Sequence, residues 1–175
     1  MPPHKALQFD PIAEARRQWQ AHGWGDAADG MAVVTSVIRV EQLLLARIEA
    51  VLRPLGLTFA RYELLVLLDF SRRGELPLGK IGARLQVHPT SVTNAVDRLE
   101  ADHLVLRVAH PDDRRTTLAV ITPAGKELAR TATEQLNTAV FANLSWRDPE
   151  LGEVFDLLRE FRLDAGDFEA SDSAD

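Results

Sequence analysis

The chain of 175 residues contains no cysteine. This absence excludes disulfides, thiol redox sensing, cysteine nucleophiles and cysteine–zinc sites. The histidines, at positions 4, 22, 88, 103 and 110, lack the close spacing that metal ligands show. Phosphate-binding glycine loops, nucleophile elbows and HExxH motifs are missing as well. We therefore expect a protein that is not an enzyme and that carries no cofactor and no metal.

Long apolar runs are also lacking. No stretch approaches the roughly 18 residues of a membrane span, and the opening segment, MPPHKALQFDPIAEARRQWQ, has no apolar centre of the kind found in secretory signals. These absences predict a soluble cytoplasmic protein without a membrane partner. The net charge of -6 argues against attachment to nucleic acid by bulk charge. Any surface that binds anions must therefore be local.

Helical periodicity dominates the N-terminal third of the chain. Residues 11–21 predict a first helix with Asp10 as its cap and Pro11 in its first turn, and the HGWGDAADG segment predicts a break. Residues 32–52 predict a second helix with two adjacent apolar stripes. Such a wide arc fits a helix that faces both its own core and a partner subunit, but it also fits a fully buried central helix.

The middle of the chain predicts two short helices followed by a hairpin, which is the order of a winged helix-turn-helix. A helix over residues 78–85 precedes one that begins at Pro89 and buries Val92, Val96 and Leu99. The exposed residues near the start of the second helix have short hydrogen-bonding side chains, of the kind that reach phosphates and base edges in a major groove: Thr90, Ser91, Thr93 and Asn94. A solvent-exposed helix face that binds nothing is the alternative.

The hairpin carries two adjacent arginines, Arg114 and Arg115, at its tip. A narrow minor groove attracts arginine through its enhanced negative potential, so we expect Arg115 to enter that groove and Arg114 to meet a phosphate. Asp113 lies two residues from Arg115 and is expected to orient its guanidinium through an ion pair. A solvated turn with a weak surface ion pair is the alternative.

The segment LPLGKIGARLQVHPTSVTNAVDRLEADHLVLRVAHPDDRRTTLAVITPAGKEL resembles the MarR (multiple antibiotic resistance regulator) family. The resemblance covers about residues 58–128 and rests on the run from Thr90 to Thr93, on the run of residues 97–100 that includes Arg98, and on the wing pattern Asp113-x-Arg115. It implies a homodimer that binds pseudo-palindromic double-stranded DNA through recognition helix 89–102 and wing 104–121. It also implies release by a small effector, often phenolic or amphipathic.

The N-terminal helix is similar to that of the urate-responsive subgroup of the same family. This similarity places Trp19, Glu63 and Arg107 on ligand-binding positions and implies a small aromatic anion as effector. The chain departs from the subgroup at Ala95, where the recognition helix of that subgroup has an arginine. A packing role for Trp19 is the alternative.

The fold class that these patterns predict is mainly α with a small β-hairpin wing: a winged helix-turn-helix flanked by N- and C-terminal dimerisation helices. The predicted segments are an N-terminal extension with a short helix (1–29), a dimerisation helix (30–57), the DNA-binding domain (58–122), C-terminal dimerisation helices (123–165) and an acidic disordered tail (166–175). The expected function is a ligand-responsive regulator of transcription, most simply a repressor. A winged-helix module that binds protein instead of DNA is the alternative.

Overall fold

The computed structural model describes residues 7–113 and 115–169. The order of the elements is α1 (Pro11–Ala21), α2 (Gly25–Leu52), α3 (Phe59–Asp69), β1 (Glu75–Pro77), α4 (Leu78–Leu85), α5 (Pro89–Ala101), β2 (Val105–Ala109), β3 (Thr117–Ile121), α6 (Pro123–Ala139) and α7 (Asp148–Asp164), with short 3-10 turns at Arg53–Leu55 and Phe141–Asn143. The mainly helical winged fold predicted from the sequence is confirmed. The chain divides into two compact units, residues 1–136 and residues 137–175.

The first helix forms as predicted, because the Asp10 carboxylate accepts from the Ile12 amide at 2.9 Å. The second helix begins at Gly25, so the predicted break over HGWGDAADG is wrong beyond Trp24. Tertiary contact explains the difference: α2 packs along α1, Ala28 is fully buried, and Arg16 pairs with Asp29 at 2.6 Å across the two helices. This packing outweighs the low helix propensity of the glycines.

Helix α2 is not a buried central helix within one chain. Its buried residues are Ala28, Ile48 and Leu52, whereas much of its apolar arc is open to solvent. The exposed members are Val33, Val34, Val37, Ile38, Val40, Leu43 and Leu45. The single chain therefore leaves a long apolar surface uncovered.

The core of the first unit lies where α3 meets the short helices and the sheet. Leucines 64, 65 and 68 of α3 are buried together with Ile81 of α4 and Val96 of α5. The sheet has the antiparallel order β1-β3-β2, in which Leu76 faces Ala119. The first of these strands was missed in the sequence analysis, which predicted only the two strands of the hairpin. Three residues that end in proline are too few to show alternation.

The C-terminal unit contains the end of α6 and the whole of α7. The sixth helix ends at Ala139, and the Asn143 side-chain amide donates to the Thr138 carbonyl beside the 3-10 turn that follows. On α7, several large apolar side chains are exposed, namely Phe155, Leu157, Leu158 and Phe161. Of the predicted acidic tail, residues 166–169 lie within the described part: Asp167 pairs with Arg162 at 2.6 Å beside the end of α7.

Candidate nucleic-acid interface

The turn between α4 and α5 fixes the angle at which α5 leaves the core. Gln86 adopts a left-handed conformation (φ 54°, ψ 40°), and the Val87 amide donates to the Gly82 carbonyl at 3.1 Å. A Cβ atom at Gly82 would lie 3.3 Å from the Val87 carbonyl oxygen, so glycine allows this close approach. The two helices thus form a tight helix-turn-helix with α5 on its outer side.

The start of α5 is held by a cap that the sequence analysis missed. His88 Nδ1 accepts from the Thr90 amide at 3.2 Å and lies 3.1 Å from the Thr90 hydroxyl. The Thr93 hydroxyl donates back to the Pro89 carbonyl at 3.1 Å. The position before a first-turn proline is a signal for a cap, although histidine is not among the residues preferred there. Two of the four predicted polar contact residues therefore make local hydrogen bonds.

The outer face of α5 is open for contact with a ligand. Ser91, Asn94 and Arg98 are exposed, and no side-chain hydrogen bond or ion pair within the described residues engages them. At 3.6 residues per turn they lie on one side of the helix, away from the buried Val92 and Val96. This arrangement presents a hydroxyl, an amide and a guanidinium in one row.

The opposite flank of α5 is tied to the wing by Arg107 of β2. Its guanidinium pairs with Asp97, lies 3.2 Å from a Glu100 oxygen, and donates to the Thr93 carbonyl at 3.2 Å. The Arg107 backbone amide also donates to Glu100, at 3.1 Å. These contacts make Arg107 a clamp between recognition helix and wing. Carboxylates at i and i+3 of a helix, followed by an arginine in the next strand, are the sequence signal for it.

The tip of the wing is built differently from the sequence-based expectation. Asp113 was predicted to orient the Arg115 guanidinium, but its carboxylate instead accepts from the Arg115 backbone amide at 2.9 Å and from the Thr116 hydroxyl at 2.6 Å. An aspartate in a turn commonly bonds the backbone two residues onward, which explains the correction. These hydrogen bonds hold the pKa of the Asp113 carboxyl below its ordinary value. Arg115 is exposed; Arg114 lies outside the described residues.

The three candidate ligand-binding residues lie in different surroundings. The Trp19 ring packs edge-to-face on Trp24, with centroids 5.4 Å apart. Glu63 is half-buried in α3, and this burial raises the pKa of its carboxyl. Arg107 is engaged by the carboxylates of α5. Among the described residues, no hydrogen bond, ion pair or ring contact joins Trp19, Glu63 and Arg107.

The described residues hold neither a metal-binding cluster nor a membrane-spanning helix. Residues 7–113 and 115–169 contain no cluster of three histidine or acidic side chains able to hold a metal ion. None of the helices in that part of the chain is long and apolar enough to cross a bilayer.

Comparison with known proteins identifies relatives of this arrangement. The model of the MarR family matches residues 57–117. Sco5413, a MarR family transcriptional regulator from Streptomyces coelicolor, is 50% identical, with a TM-score of 0.74 over 81% of this chain and 98% of its own. Sco3205, a MarR family regulator from the same organism solved in complex with DNA, is 26% identical, with a TM-score of 0.69 over 78% of this chain and 87% of its own.

A curated relative points the same way over a shorter span. The uncharacterized HTH-type transcriptional regulator YhbI of Bacillus subtilis (strain 168) is 35% identical over 88 residues, which is 50% of this chain and 56% of YhbI. The chain spans about half the length of the curated relatives it matches. These relatives are described as transcriptional regulators and not as enzymes.

Proposed function

The chain belongs to the MarR family of transcriptional regulators, and from this premise we propose that it is a homodimeric, ligand-responsive repressor that binds pseudo-palindromic double-stranded DNA. The observation that carries the proposal is the open face of α5 beside an exposed wing arginine. Ser91, Asn94 and Arg98 enter the major groove and read base edges, while Arg115 enters the neighbouring minor groove. The Arg107 clamp sets the distance between these two contacts.

The proposed interface resolves the conflict between acidic composition and DNA binding. The chain has a net charge of -6, yet Arg98 and Arg115 are exposed and pair with no carboxylate of the described residues. Phosphate contacts supply most of the sequence-independent affinity of DNA-binding proteins. Two cations supply only part of such affinity, so we expect the base contacts of α5 to determine where the protein binds.

A second copy of the chain is the proposed cover for the exposed apolar residues of α2 and α7. Val33 is 63% exposed and Phe161 is 74% exposed. Exposed apolar helix faces such as these mark interfaces, and a two-fold dimer buries the same face on both subunits. Two recognition helices related by that axis would read half-sites about 34–36 Å apart. A monomer in light scattering at micromolar concentration would contradict this part of the proposal.

The effector that we infer is a small aromatic anion, with Trp19 as the stacking surface and Glu63 and Arg107 as polar contacts. Arg107 can reach such a ligand only by giving up Asp97 or Glu100, which would loosen the recognition helix. Trp19→Phe should then weaken the effect of the ligand on DNA binding without changing the DNA affinity itself. If no phenolic or purine-like anion alters DNA binding at millimolar concentration, this assignment is wrong.

The experiment that tests DNA binding is selection of fragments from a random duplex library by the purified chain, followed by footprinting. We expect a pseudo-palindrome protected on one face of the helix. Arg98→Ala should reduce affinity for the selected site, by about 1–3 kcal/mol if it contacts a base. Arg130→Ala is the matched control, because Arg130 is an exposed arginine of α6 that pairs with Glu127 and Glu134. Equal effects of the two variants would contradict the assigned role of α5.

One observation favours a second function, binding of a protein by the wing. Leu106 and Val108 of β2 are 51% and 44% exposed, and alternate residues of a strand share a face. An exposed apolar pair is expected on a wing that docks against protein. Substitution of both by serine separates the functions: it should leave duplex binding intact if the wing acts through Arg115. Failure of the unmodified chain to select any duplex would favour the protein-binding module.

A further inference from the structure

A basic groove runs beside the wing and along α4. Two adjoining depressions make it up, and Pro77, Lys80 and His110 line both. The first reaches the tip of the wing, where Arg115 forms part of its wall. The second extends past α4 to the loop after α3, where Arg72 and Arg84 contribute to the lining. We call this continuous depression the wing groove.

The charge of the wing groove is not neutralised by its own surroundings. Lys80, Arg84 and Arg72 are exposed, and no carboxylate of residues 7–113 and 115–169 forms an ion pair with them. Arg73, in the same lining, is different, because it pairs with Glu75 at 3.2 Å. Exposed arginines elsewhere commonly have acidic neighbours, as Arg130 has on α6. The groove thus holds unpaired cations in a chain with an overall negative charge.

The cations in the lining of the groove outnumber its carboxylates, with Lys80, Arg72, Arg73, Arg84 and Arg115 against Glu75, Asp112 and Asp113. The Asp113 carboxylate is occupied by the Arg115 amide and the Thr116 hydroxyl. Asp112, on the wing loop, also lines the second depression. Lys80 and Arg84 are one helical turn apart, which places their Cβ atoms roughly 6 Å from each other. Two cations at this spacing span about two phosphates of one DNA strand, at roughly 3.4 Å of helix axis per phosphate.

We propose that the wing groove holds the sugar–phosphate backbone of the duplex flanking the minor groove that Arg115 enters, with Lys80 and Arg84 on successive phosphates and Arg72 at its far end. The proposal rests on the proposed function and extends it, since neither the recognition helix nor the tip of the wing includes these residues. Continuity of the groove with Arg115 and the sign of its charge select this occupant. The contacts are to phosphates, so they add affinity and orientation without reading sequence.

The test measures the salt dependence of binding by the full chain carrying both Lys80→Ala and Arg84→Ala. The probe is a duplex of about 40 base pairs that contains the site selected by the unmodified chain, alongside the same duplex shortened to end at the minor groove of the wing. Each lost phosphate contact should lower the slope of log K against log salt by roughly 0.9, or about 1.8 for the pair. Base preference should not change.

The matched control is the double variant Arg17→Ala and Arg130→Ala, which removes the same charge from acid-paired arginines outside the groove. Thermal unfolding of each variant checks folding, and alanine at an exposed helix position favours the helix. We also expect shortening of the duplex to weaken binding by the unmodified chain more than binding by the Lys80/Arg84 variant, which keeps only Arg72 at the far end of the groove.

The outcomes distinguish failure of the wing-groove proposal from failure of the proposed function. A slope equal to that of the unmodified chain, or a decrease no larger than that of the control, would overturn the wing groove while leaving DNA binding by α5 intact. Loss of base preference in the Lys80/Arg84 variant would also overturn it, because the groove would then be part of the reading surface. If the unmodified chain selects no duplex, the proposed function fails first and the groove assignment fails with it.

Discussion

Gly125 lies where the base of the wing meets α6, and its replacement by alanine tests how tightly these two parts are joined. A Cβ atom at this position would overlap the carbonyl oxygen of Leu104. It would also lie 2.9 Å from Cγ1 of Ile121 and 3.1 Å from the Leu104 carbonyl carbon. Non-bonded carbon atoms normally stay about 3.5–4.0 Å apart. The neighbours would have to move by about half an ångström or more.

The expected loss of stability depends on which atoms have to move. Overpacking typically costs about 1–3 kcal/mol, and the upper end applies here because the overlapped atoms are backbone. Alanine in place of glycine within a helix returns about 1 kcal/mol. We therefore expect Gly125→Ala to lower the free energy of unfolding by about 2 kcal/mol. The Leu104 carbonyl also accepts from the Thr122 amide at 3.0 Å and from its hydroxyl at 3.1 Å, so the displacement would reach the start of β2.

Urea denaturation at fixed protein concentration measures the change, with Gly152→Ala as control. Gly152 lies in α7 and a Cβ there meets nothing within 4 Å, so its replacement should stabilise by up to about 1 kcal/mol. The two variants should differ by about 3 kcal/mol although the chemical change is identical. Equal stabilities would refute the close approach. A loss of stability in Gly125→Ala without weaker duplex binding would refute its transmission to the wing.

Three further outcomes are expected from the same structure. Arg107→Met should lower the free energy of unfolding by about 1–2 kcal/mol, and a double-mutant cycle with Asp97→Asn that shows no coupling would refute the clamp. Burial raises the pKa of Glu63 above its unfolded value, so this group favours the folded state less as pH rises through the folded pKa. Glu63→Gln should therefore be more stable than the unmodified chain at pH 7, and urea titrations should show this difference shrinking as the pH falls toward 4.5. Asp113→Ala should speed hydrogen exchange at the Arg115 amide, whereas Asp113→Asn, which keeps an acceptor oxygen, should not; equal rates would refute the turn role.

The parts predicted well from the sequence are those in which local chemistry and tertiary packing agree. Asp10 before Pro11, and Pro89 followed by a period of 3.6 through Val92 and Val96, determine helix starts and buried faces in any context. The strands of the wing likewise consist largely of aliphatic and β-branched residues on either side of a polar turn. The helix-turn-helix order and the buried side of α5 were therefore within reach of the sequence alone.

The parts predicted poorly depend on partners that are distant in the sequence or on a choice between similar local bonds. The start of α2 depends on packing against α1, and β1 is too short to show a pattern of its own. The Arg115 backbone amide and the Arg115 guanidinium both lie two residues from Asp113, and the sequence does not show which of them the carboxylate binds. Arg107 fitted a ligand-binding position by resemblance, whereas its ion pairs to α5 become visible only when β2 lies against that helix.

The hydrogen bond from the Arg107 amide to the Glu100 carboxylate affects how copies of this chain associate in concentrated solution. An edge strand normally exposes free amides and carbonyls that recruit further strands, and this is a common route to aggregation. On one edge of the sheet, Glu100 occupies the Arg107 amide with a carboxylate. The other edge strand ends in Pro77, which has no amide hydrogen to donate. Both margins of the sheet thus discourage strand addition, which favours association of copies through helices over polymerisation through wings.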